Sequence, residues 1–104
     1  MAKSALTIRM EFDKANRQAD RLEQIARDLR KVSNDKLAAC FSEISGAWKS
    51  ESASAYLKKG HRLQEQITKR ASSLDKAAAA VRKIAKNTYD AEMEALRLAR
   101  IRTY

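Results

Sequence analysis

Apolar residues recur through the first half of the chain at alternating steps of four and three: Ile8, Phe12, Ala15, Ala19, Leu22, Ala26 and Leu29. This spacing holds them on one face of a helix and is heptad-like. Ile25 and Val32 widen the stripe on one side. Beyond Leu29 the pattern slips. Leu37, Phe41, Ile44 and Trp48 stay in line only if steps of four are inserted near Ser33-Asn34-Asp35-Lys36. Such a stutter unwinds a supercoil locally without ending the helix. A true break at that point is the alternative, but no Gly or Pro stands there to make one. Clear turn chemistry comes at Ser45-Gly46-Ala47-Trp48-Lys49-Ser50-Glu51-Ser52. Ser50 or Ser52 can cap a following helix by accepting its free N–H groups, and Glu51 suits that helix's positive end.

The second half predicts another long helix with three apolar rows. One row is Ala53, Gly60, Ile67, Leu74, Val81, Thr88 and Ala95. Three residues on lie Tyr56, Leu63, Arg70, Ala77, Ile84, Ala91 and Leu98. A third row, Leu57, Ala71, Ala78, Ala85 and Ala99, is mostly small and would let another helix approach closely. Arg97, Arg100 and Arg102 sit where a helix end is negative.

Two long helices joined by a short turn are antiparallel neighbours. The expected architecture is all-α: one helical-hairpin domain over 1–104, with helix one about 6–47, a turn about 48–51 and helix two about 52–100. With a turn near Lys49, residues whose numbers sum to about 98 face each other, which sets Gly60 against Leu37, Cys40 and Phe41. Each helix carries a stripe wider than one neighbour can cover. The predicted closure is a four-helix bundle made by two chains, with Phe12, Leu22, Leu29, Phe41, Ile44, Gly60, Leu63, Ile67, Leu74, Val81 and Ile84 at helix–helix interfaces.

Composition sharpens this. The chain has 104 residues, no proline and two glycines, which argues against turn-rich β folds. Its one cysteine and one histidine exclude an internal disulfide and a Cys/His zinc site. No nucleophile–base pair, phosphate-cradling glycine loop or ligand cluster stands out, so neither catalysis nor a cofactor is expected. The net charge is +9. Arg62, Lys69, Lys76 and Lys83 recur every seven residues as a basic stripe opposite the seam. A solvated face is the plain reading of that stripe. Docking to an acidic helical protein is the functional one, since opposite charge removes the self-repulsion of two basic copies. Nucleic acid is disfavoured because no aromatics interleave the cations. No apolar run is long enough to span a membrane, and the charged start does not read as a secretory signal.

The residues Ile44-Ser45-Gly46-Ala47-Trp48-Lys49-Ser50-Glu51-Ser52-Ala53-Ser54-Ala55-Tyr56, with Leu63, Ile67, Leu74, Ile84 and the run Ala85–Glu92, resemble the WXG superfamily. These are ESAT-like helical hairpins of about one hundred residues exported by type VII secretion. The resemblance covers nearly the whole chain. It implies a Trp-x-Gly turn, export without a cleavable signal peptide, and pairing into four-helix bundles. Two positions depart from the pattern. The turn reads Trp48-Lys49-Ser50, with Ser where the family has Gly; were φ positive there, Ser would cost ~1 kcal/mol and Gly would be preferred. The family's export signal is Tyr followed four residues later by an acid, whereas Tyr89 is followed at that spacing by Met93, flanked by Glu92 and Glu94.

The resemblance implies a bacterial, non-enzymatic substrate or targeting factor, cytoplasmic before export and secreted afterwards. Its partners would be itself or a related hairpin, the helical domain of a toxin cargo, and the system's export ATPase. The alternatives from composition are a basic coiled coil on nucleic acid or an anionic membrane surface, and a plain scaffold. Among single residues, Trp48 is expected to be buried at the hairpin end, with partner docking as its other role. Cys40 falls among apolar positions and reads as a small core residue. His61 reads as surface. Tyr89 sits on the seam's edge, open to packing or recognition.

Overall fold

The computed structural model describes residues 3–48 and 50–102, and every regular element among them is helical. α1 spans Ala5–Lys31, a π-helical segment follows over Val32–Leu37, α2 spans Ala38–Ala47, and α3 spans Glu51–Arg102. Ser4 starts α1 by accepting the Thr7 N–H on its hydroxyl at 3.1 Å. Ser50 does the same for α3, accepting the Ala53 N–H at 3.1 Å. Between α2 and α3 the chain leaves the helix at Trp48, whose backbone is extended at φ −130°, ψ 105°. Lys49 of the turn motif lies outside the described residues.

The slip in the apolar pattern corresponds to the π-helical segment. From Leu29 to Phe41 is twelve residues, about three and a third turns at 3.6 residues per turn, which would carry Phe41 well off the seam. A π turn holds more residues, through i→i+5 bonds, and so rotates the chain less per residue. Leu29, Ser33, Leu37 and Phe41 thereby stay on one face, with Ser33 and Phe41 buried. The helix continues through the stutter. The same rotation corrects the expectation for Cys40: Phe41 takes the inward position and Cys40 is exposed.

The chain packs as two compact units. Unit 1 joins Met1–Leu22 with Lys76–Tyr104, and unit 2 is Glu23–Asp75. In each, a stretch of the first helical half lies antiparallel to a stretch of α3. In unit 1, Ile8, Ala19 and Ala78 are buried. Phe12 packs against Tyr89 with ring centroids 4.8 Å apart and the rings tilted at 41°, and Arg82 pairs with Asp20. In unit 2, Ala26, Phe41, Ala53 and Ala71 are buried, and Arg30 meets Asp75 at 2.6 Å. Gly60 faces Phe41, as expected: a Cβ there would lie 2.5 Å from Cε1 of the ring.

The seam of α3 is built from its first and third rows. Gly60, Ile67, Leu74 and Val81 are half-buried, and Ala71 and Ala78 are closed to solvent. Small side chains at Ala71 and Ala78 let the helices meet along that edge, which rotates the Tyr56 row outward. Leu63 and Ile84, expected within the helix–helix seam, are therefore exposed in the single chain. The other expected seam residues, Phe12, Leu22, Leu29 and Ile44, are half-buried and Phe41 is buried.

No positive φ occurs among the described residues, so Ser50 carries no left-handed strain. The preference for Gly at this position is overturned, because the Ser50 hydroxyl is already used as the cap. Ser50→Ala is expected to cost ~1 kcal/mol and Ser50→Gly only a few tenths, measured by urea unfolding.

Candidate interaction surface

The chemistry of this chain lies on its faces. In unit 2, Ile25, Val32, Trp48, Tyr56 and Leu63 are exposed apolar or aromatic side chains. The expectation that Trp48 is buried fails: it is 50% exposed. It follows the last residue of α2 in extended backbone, which carries it out of the helical register of the seam. In unit 1, Ile84 and Leu98 are exposed on α3, and Leu6, Met10 and Ile101 are also exposed. Surface apolar residues scattered singly need no explanation, but a repeating row on one helix marks a contact face.

Unit 1 also carries a groove of about 270 Å³ beside this row, lined by Ile8, Phe12, Val81, Ile84, Tyr89 and other residues, with Glu11 and Glu92 as its charged members. Lys3 reaches both carboxylates, at 2.7 Å from Glu11 and 3.3 Å from Glu92. Hydrogen bonding to Glu11 and then Glu92 raises the lysine pKa above its ordinary value. The second carboxylate oxygen of Glu92, Oε2, is buried with no hydrogen-bond partner.

The three candidate export-signal residues occupy different settings. Tyr89 is half-buried against Phe12, and Glu92 is held by Lys3. Glu94 is exposed and pairs with Arg97 one turn on; that hydrogen bond holds its carboxyl below the usual carboxylate range. The stripe residues Arg62, Lys69, Lys76 and Lys83 are exposed and make no ion pair among the described residues.

No protein-family model, curated protein or solved structure matches the chain. The functional reading rests on the faces themselves. Among the described residues no group of three His, Cys, Asp or Glu is placed to hold a metal ion, and no helix is long and apolar enough to cross a membrane.

One polar contact has no counterpart in the sequence pattern. Gln64 donates from Nε2 to the Ser33 carbonyl at 2.8 Å, and the Ser33 hydroxyl faces the Gln64 carbonyl at 3.5 Å. Widening a helix into π geometry disturbs the usual carbonyl pairing, and a buried carbonyl needs a donor. Gln64 supplies it across the seam. Its Oε1 in turn accepts from His61 at 3.0 Å, which places the proton on Nδ1 of a ring that also stands edge-on to Phe41. His61 is exposed, as expected. The available signal was the run of four-residue steps, which already set Ser33 on the seam.

Proposed function

We propose that this chain is a non-enzymatic pairing protein of type VII secretion, either a substrate or a targeting factor that accompanies a larger helical cargo. The observation that carries the reading is that each unit leaves large apolar side chains of α3 exposed, Tyr56 and Leu63 in unit 2 and Ile84 and Leu98 in unit 1, together with an exposed Trp48. A stable protein covers such side chains with a partner helix. In this reading two hairpins bury their rows against each other as a four-helix bundle. The partner is a second copy, a related hairpin or the helical domain of a toxin, and the composite surface is offered to the export ATPase. In this reading the chain is cytoplasmic until exported. Trp48 supports the reading as an exposed aromatic anchor at the turn, and Tyr89, Glu92 and Glu94 remain the candidate signal.

The test is expression in a bacterium with an active type VII system, with and without its export ATPase. The chain is expected in the culture medium only when the ATPase is present. Trp48→Ala should alter unfolding free energy by about half a kcal/mol or less, as for other exposed positions, yet reduce export. Equal release from both strains would overturn the reading.

The free cations Arg62, Lys69, Lys76 and Lys83 favour a second reading, binding to nucleic acid or an anionic membrane surface. Four phosphate contacts would give affinity for DNA a log–log salt slope near about −3.6. Affinity that does not change with salt rules the DNA form of this reading out.

A further inference from the structure

Between Tyr56 and Arg70, within unit 2, α3 carries Lys58, Lys59, Arg62, Lys69 and Arg70 against a single carboxylate, Glu65. All five cations are exposed, and none makes an ion pair among the described residues. At about 100° per residue, Tyr56, Lys59, Leu63 and Arg70 fall within roughly 60° of one another on the helix. Arg62 stands at the edge of that face, whereas Glu65 lies about 160° from Leu63. Tyr56 is 55% and Leu63 47% exposed. An aromatic and an aliphatic side chain thus share one open face with cations, and the segment's one carboxylate is kept off it.

The cations alone would suit any polyanion. Leu63 separates the candidates. Beside a nucleic-acid backbone it would meet charged oxygens, and it has no ring on which a base could stack. At a lipid interface it sits below the headgroups, with the Tyr56 ring level with them. Lysine and arginine lay their methylene stems along such apolar side chains and hold their charged ends at lipid phosphate and carboxylate. From Tyr56 to Arg70 the helix runs about 21 Å at 1.5 Å per residue, long enough to meet several headgroups at once. Two apolar side chains bury too little surface to hold the chain on an uncharged bilayer, so the lipid must be anionic.

We propose that unit 2 lies on an anionic lipid surface through the Tyr56–Arg70 segment of α3, with Leu63 inserted and Lys59, Arg62 and Arg70 at the headgroups. The proposal rests on the second reading above and gives it a lipid partner and a surface. A partner chain covering Tyr56 and Leu63 would compete with lipid for this face.

The test sediments the full chain with vesicles of phosphatidylcholine alone and of phosphatidylcholine mixed with phosphatidylserine. Binding is expected to the mixed vesicles only, and to fall as salt is raised. Lys59→Gln with Arg70→Gln should weaken it by about 25-fold, roughly fivefold per cation. Lys76→Gln with Lys83→Gln removes the same net charge from exposed positions of unit 1 and should weaken it by less than about threefold. Leu63→Ser should weaken it by about tenfold and leave any affinity for duplex DNA unchanged. All these positions are exposed, and circular dichroism is expected to show unchanged helicity. Equal losses from the two double variants, or no loss from Leu63→Ser, overturn this surface. Binding to DNA but not to mixed vesicles overturns the lipid partner and leaves the second reading in its nucleic-acid form. Binding to neither overturns the proposal and the second reading together.

Discussion

Gly60→Ala is expected to destabilise the protein, reversing the sign usual for this exchange. In an exposed helix interior, alanine gains about 1 kcal/mol over glycine, because the unfolded chain loses freedom and the helix does not. Here the new Cβ would lie 2.5 Å from Cε1 of Phe41 and also collide with the tip of the ring. Phe41 is buried in the seam and stands against His61, so the ring must give up packing to admit the Cβ. Either the ring leaves its seat or the helices part locally. Overpacking of this kind costs ~1–3 kcal/mol, and Gly60→Leu should lie at or above the upper end. A double-mutant cycle checks the cause. Phe41→Leu alone should destabilise by loss of packing, while Gly60→Ala on that background should become neutral or favourable. If Gly60→Ala stabilises the wild type, the close approach of the two helices at this level is wrong.

Ala71→Asp is expected to abolish cooperative folding of unit 2. Ala71 has no solvent exposure, so a carboxylate there is held away from water. A charge there is cut off from water with no partner in place; Asp75 one turn on is like-charged and already engaged by Arg30. Ser72→Asp, at the adjacent exposed position, is the control and should change stability by about half a kcal/mol or less. Thermal unfolding followed by circular dichroism distinguishes them: a sharp transition in the control, a broad and early loss of signal in Ala71→Asp.

Much of this arrangement was legible in the chain. Alternating steps of four and three from Ile8 to Leu29 gave the first helix and its inward face. The absence of Gly and Pro near Ser33 pointed to a continuous helix there, and the four-residue steps marked the stutter. Gly60 announced its bulky neighbour. What the pattern could not settle was which edge of the α3 stripe the first half occupies. Periodicity ranks Ile84 above Ala85 by hydrophobicity, but two helices in contact gain more from close approach, and alanines at 71 and 78 allow it. The large side chains at 63 and 84 are left for another surface. Trp48 and Cys40 were misplaced for a related reason. Both are apolar residues near the seam whose direction depends on local backbone, the extended cap in one case and the π turn in the other. The partner of Ser33 was invisible because a glutamine contacting a backbone carbonyl leaves no spacing signature.

Sedimentation equilibrium of the full chain across the micromolar range, at physiological salt, shows whether the exposed row of α3 is a pairing face. The expected species has twice the 11.7 kDa chain mass and dissociates as the chain is diluted. A single species of 11.7 kDa at every concentration, helical and unfolding cooperatively, would contradict self-pairing.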